Sequence, residues 1–159
     1  MEVYSVGGRA SVAAVANVAI AVFWNPSTDR SLSVVGLDVV VAVDVQANWY
    51  TARATAEGTP GSTVTPDVGN AFGRSGAPPS GCRLALGSFS VQPTLDAGPF
   101  LTRFIPNTAV GARVGSGQVT VYGPARQRTG IVVPPGEGLA VVQTPATAST
   151  LDVAVRWIE

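Results

Sequence analysis

The sequence predicts an all-β fold: a single-domain antiparallel β-sandwich, most plausibly a jelly roll of about eight strands with two long loops. Three observations carry this expectation. Valine occurs 26 times against eight leucines, and a β-branched side chain, stiff at χ1, suits a pleated sheet better than a helix. Apolar residues recur with period two in the long segments. Glycine and proline, 18 and 12 residues, punctuate the chain as turns do. At 159 residues and 46% apolar content, the chain is long and apolar enough for one buried core. No repeat, heptad or charge block divides it, so one domain spans 1–159.

Residues 1–10 read as an N-terminal arm, with Gly7, Gly8 and Arg9 interrupting any apolar pattern. The run 12–24 places Val12, Ala14, Ala16, Val18, Ile20, Val22 and Trp24 on one face and reads as one strand. It is shorter than the ~20 residues of a membrane span, and no net positive charge precedes it, unlike a signal peptide. Asn25-Pro26-Ser27-Thr28-Asp29 is a turn. In 32–45 the odd positions Ser33, Val35, Leu37, Val39, Val41, Val43 and Val45 form the expected core face.

Shorter strands are expected at 48–56, 82–90, 118–122, 131–133 and 139–143. Leu151, Val153, Val155 and Trp157 alternate with Asp152, Ala154, Arg156 and Ile158 in the last one. Pro134-Pro135-Gly136-Glu137-Gly138 reads as a tight hairpin loop, so the last three strands are expected to form an antiparallel meander. Residues 57–81, with six glycines and four prolines, and 91–108, with Pro93, Pro99 and Pro106, are the two long loops.

Composition narrows the chemistry. The chain has no histidine, no lysine and one cysteine, and its ten arginines balance ten acids. A Ser–His or Cys–His pair is therefore impossible, and Cys82 with carboxylates alone is a poor zinc set. Cys82 shares the parity of Leu84 and Leu86 and reads as a small core residue. Gly111-Ala112-Arg113-Val114-Gly115-Ser116-Gly117 lies between strands and reads as a turn, not a phosphate loop. Asp38 and Asp44 share a strand face but lie ~20 Å apart at strand rise, beyond the about 5–9.5 Å of glycosidase pairs. Asp29 with Asp67, or Asp96 with Glu137, would depend on the fold to meet. No enzyme activity and no cofactor are expected. Zero net charge and singly scattered arginines argue against nucleic acid and an anionic membrane as partners.

Charged residues make up 13% of the chain against roughly 25% in an ordinary soluble domain. A surface so poor in charge suits contact with neighbours. Aromatics and arginine are enriched in interfaces, so the candidate partner-binding residues are Tyr4 and Arg9 in the arm, Phe72 and Arg74 in the first loop, and Phe100, Arg103 and Phe104 in the second. The alternative for the phenylalanines is that they tuck under their own loops. Trp24, Trp49 and Trp157 fall in strands or at strand ends and read as core.

The stretch Gly130-Ile131-Val132-Val133-Pro134-Pro135-Gly136-Glu137-Gly138-Leu139-Ala140-Val141-Val142 resembles a hairpin of small virion proteins of tailed bacteriophages. Val155-Arg156-Trp157-Ile158-Glu159 and Phe23-Trp24-Asn25-Pro26 with the valine-rich strand after it add to the likeness, which covers the two ends of the chain. In that group jelly-roll or related β-domains often decorate or cement the capsid, frequently as trimers. The resemblance implies a capsid decoration protein, made in the host cytoplasm and placed on the virion surface. It would bind the major capsid protein shell as a homo-oligomer, a trimer. The alternative is a head-fibre or tail-associated module that recognises a host glycan or receptor.

Overall fold

The computed structural model describes residues 3–41, 48–65, 78–96, 101–104, 119–120, 130–144 and 148–159. These residues form strands and connecting segments, with no helix among them. In chain order the strands are β1 (Val3–Val12), β2 (Val18–Asn25), β3 (Leu32–Val41), β4 (Asn48–Ala56), β5 (Ser62–Val64), β6 (Arg83–Leu86), β7 (Thr94–Leu95) and β8 (Leu101–Phe104). Then follow β9 (Val119–Thr120), β10 (Ile131–Val133), β11 (Glu137–Gln143) and β12 (Ser149–Ile158).

They build two antiparallel sheets. One runs β1-β12-β3-β10, with β9 also on β3; the other runs β5-β6-β2-β11-β4-β7, with β8 also on β4. Successive strands β1 to β4 change sheet at each step, and so do β10, β11 and β12. This interlocking of β1-β12-β3-β10 with β2-β11-β4-β7 is jelly-roll order, two Greek keys wrapped together. The all-β sandwich expectation is thus met.

The expected closing meander is not. β10 pairs with β3, β11 with β2 and β4, and β12 with β1 and β3. The Pro134–Glu137 turn is an arch between sheets. Turn chemistry reverses the chain but does not decide which sheet receives it.

Asn25 explains why this arch sits where it does. Its side chain is fully buried, and its Nδ2 donates to the carbonyls of Arg30 at 2.7 Å, Val133 at 3.2 Å and Pro134 at 3.1 Å. Its Oδ1 accepts from Ser27 N, and its carbonyl accepts from Gly136 N at 2.9 Å. One amide thereby ties the β2–β3 arch to the β10–β11 arch. A buried polar group so well partnered stabilises a specific chain path.

Two further corrections concern phase. The run 12–24 is not one strand: β1 ends at Val12, residues 13–17 turn with Asn17 at φ 57°, and β2 begins at Val18 in the other sheet. Asn tolerates this left-handed conformation better than most residues. In β2, Phe23, Ala21 and Ile20 face the core between the sheets, while Val22 and Ala19 lie in a separate cluster. The ladder to β11 skips Ile20, so a bulge lets both Ile20 and Ala21 reach that core.

In β3 the expected face holds only in part. Leu32, Val34, Leu37 and Val39 are buried, whereas Ser33 and Val35 are half-buried. The β12 ladder pairs Arg156 with Gly36 and Trp157 with Val34, skipping Val35. That bulge shifts the inward face from even to odd positions, since side chains alternate with period two. Arg156 crosses the bulge so closely that a Cβ on Gly36 would fall 2.8 Å from its Nε.

The core lies between the sheets. Trp157 sits at its centre, stacked on Tyr4 with ring centroids 5.6 Å apart and tilted against Phe23 at 4.9 Å. β12 follows its predicted alternation: Leu151, Val153, Val155 and Trp157 are buried, their neighbours half-buried. Trp49 is buried too, while Trp24 is half-buried against the second cluster. That cluster is rich in alanine on the far face of the larger sheet, with Ala19, Ala52, Ala54, Ala85 and Ala140 packed with Phe89. Small side chains there let the segment after β6 lie close against the sheet.

The Asn25 network generates a stability prediction. Asn25→Ala leaves three carbonyls without their donor and should cost about 1–3 kcal/mol in urea unfolding. Asn25→Asp should be at least as damaging, because a carboxylate would face those carbonyl oxygens. Equal stability of wild type and Asn25→Asp would contradict the network.

Candidate binding surface

The outer face of the five-stranded sheet presents a regular surface among the described residues. Cross-strand registers place Arg9 opposite Asp152, Gly7 opposite Ala154, Ser5 opposite Arg156 and Val3 opposite Ile158. On the other side of β12, Val40 lies opposite Asp152 and Asp38 opposite Ala154. Val132 of β10 stands 60% exposed on the same sheet. Apolar and small residues therefore alternate with charges that are already paired.

Those pairs follow from the sheet's period. Arg9 donates from Nε to Asp152 Oδ1 at 2.6 Å and from its NH2 nitrogen to Oδ2 at 2.8 Å, a fork matched to a carboxylate. Arg156 reaches Asp38 at 3.3 Å. Between them, Gly7, Ala154 and Val40 line a shallow open depression of about 430 Å³. The hydrogen bonds from Arg9 hold the Asp152 carboxyl below the usual aspartate range; they outweigh the opposing desolvation, and the charge of Arg9 adds a smaller push in the same direction.

Two further arginines among the described residues follow the same rule. Arg53 binds Glu137 and reaches Asp96 at 3.4 Å. Asp96 and Glu137 do meet, then, but across a guanidinium that both neutralise, an arrangement for holding β4, β11 and the segment after β7 together. Arg83 donates to Glu57, with Nε at 2.8 Å. Asp29 caps its own turn by accepting from Ser27 Oγ at 3.0 Å. Asp44 and Asp67 lie outside the described residues, as does 111–117.

Cys82 is buried with Leu84 and Leu86, as its parity predicts. Burial pushes its thiol up to about 12 against a weaker opposing hydrogen bond from Ser80, so at neutral pH it stays protonated and a poor nucleophile. Beside it, Glu159 accepts from Ser80 N at 3.2 Å and from Trp157 Nε1 at 3.1 Å. Among the described residues no group of three His, Cys, Asp or Glu is placed to hold a metal ion. No helix of the described residues is long and apolar enough to cross a membrane.

The sequence-derived contact residues separate. Arg9 is exposed and lies on the outer face. Tyr4 is not part of an exposed arm: its ring is buried within the chain, stacked on Trp157. The expected arm is likewise corrected, because residues 3–12 form a strand paired with β12 along their whole length. Both expected loops carry strands, β5 within 57–81 and β7 and β8 within 91–108. Arg103 and Phe104 belong to β8, which pairs with β4. Phe72, Arg74 and Phe100 lie outside the described residues. The sequence reading missed Asp152, Arg156, Asp38 and Val132 as surface residues; the strict alternation of 151–158 already marked the first two as outward.

Comparisons with protein-family models, with curated proteins and with solved structures find no match.

The Arg9–Asp152 pair generates a pH prediction. A folded-state pKa below the unfolded value means that the pair's contribution is present above the ordinary aspartate pKa of about 3.9. It is lost as pH falls through the folded value. In a carboxyl-carbon NMR titration, Asp152 should titrate below that ordinary value, and Arg9→Ala should raise its midpoint toward it. An unmoved midpoint would show that Arg9 does not set it.

Proposed function

We propose that the protein is a structural component of a virus-like shell: a capsid decoration protein that binds the lattice of major capsid subunits on its outside, as an oligomer. The observation that carries the reading is the outer face of the five-stranded sheet. Its charges are paired within the chain, and Val3, Val35, Val40, Val132, Ile158 and Ala154 remain wholly or partly accessible between them. Paired charges need no partner of opposite sign, so the face suits a neighbour that offers apolar surface and backbone hydrogen bonds. Many copies on a lattice make such modest contacts act together.

The end motifs that resemble phage virion proteins support the same reading, and Asn25 gives them a physical role. Phe23-Trp24-Asn25-Pro26 and the Pro134-Pro135-Gly136 arch are held by one residue, through the side-chain amide and the backbone carbonyl of Asn25. Described carboxylates are mostly engaged by arginines, and the thiol is protonated, which leaves contact as the better account of what these residues do.

Quantitative mass spectrometry of purified particles tests this. Decoration predicts copies comparable in number to the major capsid subunit, released from the shell without opening it. A handful of copies confined to one vertex would instead support a fibre or receptor-binding module, and absence from the particles would reject both.

A further inference from the structure

The four sheet edges differ sharply. In the larger sheet the edges end in β5, of three residues, and in β7 and β8, of two and four. The smaller sheet ends on one side in β10 and β9, of three and two residues. Its other edge is β1, ten residues long, in unbroken register with β12 and with no other ladder partner among the described residues.

Natural edges of this length are normally blunted by proline, lysine, a bulge or an inward charge. β1 has none of these. Its one charge, Arg9, is neutralised by Asp152. Half of its backbone N–H and C=O groups point away from β12, ready to continue a sheet.

We propose that β1 pairs antiparallel with β1 of a second copy of this chain about a twofold axis at Gly7, joining two five-stranded sheets into one. Side-chain size selects this occupant. In an antiparallel pair, facing residues share a face of the sheet. With Gly7 on the axis, Tyr4 faces Ala10 of the other copy and Val6 faces Gly8 on the inner side. Ser5 faces Arg9 and Val3 faces Ser11 on the outer side. Each larger residue meets a smaller one.

The charges agree with this register. The two Arg9 side chains stand four residues apart along the strands, ~14 Å at strand rise and beyond a Debye length of about 8–10 Å. The second layer also reaches this rim. A Cβ on Gly8 would fall 2.6 Å from Leu86 Cδ1 and 3.2 Å from Val64 Cγ2, so β5 and β6 lie beneath β1, and the twofold brings the two β5 edges toward each other. A twofold contact of this kind is isologous and closes at two copies. It takes the place of the trimer that the family resemblance implies, and it does not depend on the shell reading, because it forms between free chains.

The test uses the whole chain in solution. Wild type should sediment at twice the 16.2 kDa chain mass at high micromolar concentration. Gly7→Cys should give a dimer as the dominant product of a short bismaleimide, and Val132→Cys, at the opposite edge, only background. A Cβ at Gly7 meets nothing closer than Val153 O at 3.4 Å, so this variant should fold, and buried Cys82 stays out of the reaction. Ser5→Lys with Ser11→Lys should sediment as a monomer with an unchanged near-ultraviolet tryptophan spectrum. A monomeric wild type, a trimer, or a dimer indifferent to the lysine pair and uncrosslinked at Gly7→Cys would each overturn the proposal.

Discussion

The sandwich depends on β12. It is an interior strand of the smaller sheet, the one ladder partner of β1 among the described residues and the longest partner of β3. It also carries Trp157, whose ring touches Tyr4 in its own sheet and Phe23 in the facing one. Aromatic contacts at these separations add to the burial of a large apolar area, so one side chain couples the ladder that holds β1 to the packing that holds the two sheets together. The bulge opposite Arg156 and Trp157 belongs to the same device. It turns β3 through one residue so that both of its halves face the core, and it seats Arg156 over Gly36, within reach of Asp38.

The outer face is the consequence of that inner order. Alternation along β12 places Leu151, Val153, Val155 and Trp157 inside, and so Asp152, Ala154 and Arg156 outside. The registers of β1 and β3 then supply an arginine for the acid and an acid for the arginine. A chain without lysine thereby neutralises this surface within itself. What remains for a neighbour is shape, backbone and modest apolar area, which suits the contact role proposed above.

Much of this was legible in the sequence, and the failures have physical causes. The alternation of 151–158 and the bounds of β4 and β10 could be read because period two persists there and the flanking residues break it. β1 was hidden: Gly7, Gly8 and Arg9 have low strand propensity, and their partner lies at the far end of the chain. The strand is made by its ladder with β12 and by the glycine that lets Leu86 and Val64 approach. Bulges at Ile20 and Val35 left no local mark, yet each exchanges the inner and outer faces. Tyr4 reads from the sequence as part of an exposed arm, because nothing local marks the edge strand that buries its ring. Of the surface now described, Arg9 alone was named in advance.

Residue-resolved amide hydrogen exchange across Val3–Val12 in dilute solution tests the dependence on β12 most directly. The account predicts alternating protection, slow at the amides that point to β12 and fast at those that point away. Loss of the slow set should coincide with global unfolding. Uniformly fast exchange along this stretch, in a chain whose remaining core strands stay protected, would mean that these residues form a free arm and would contradict the account.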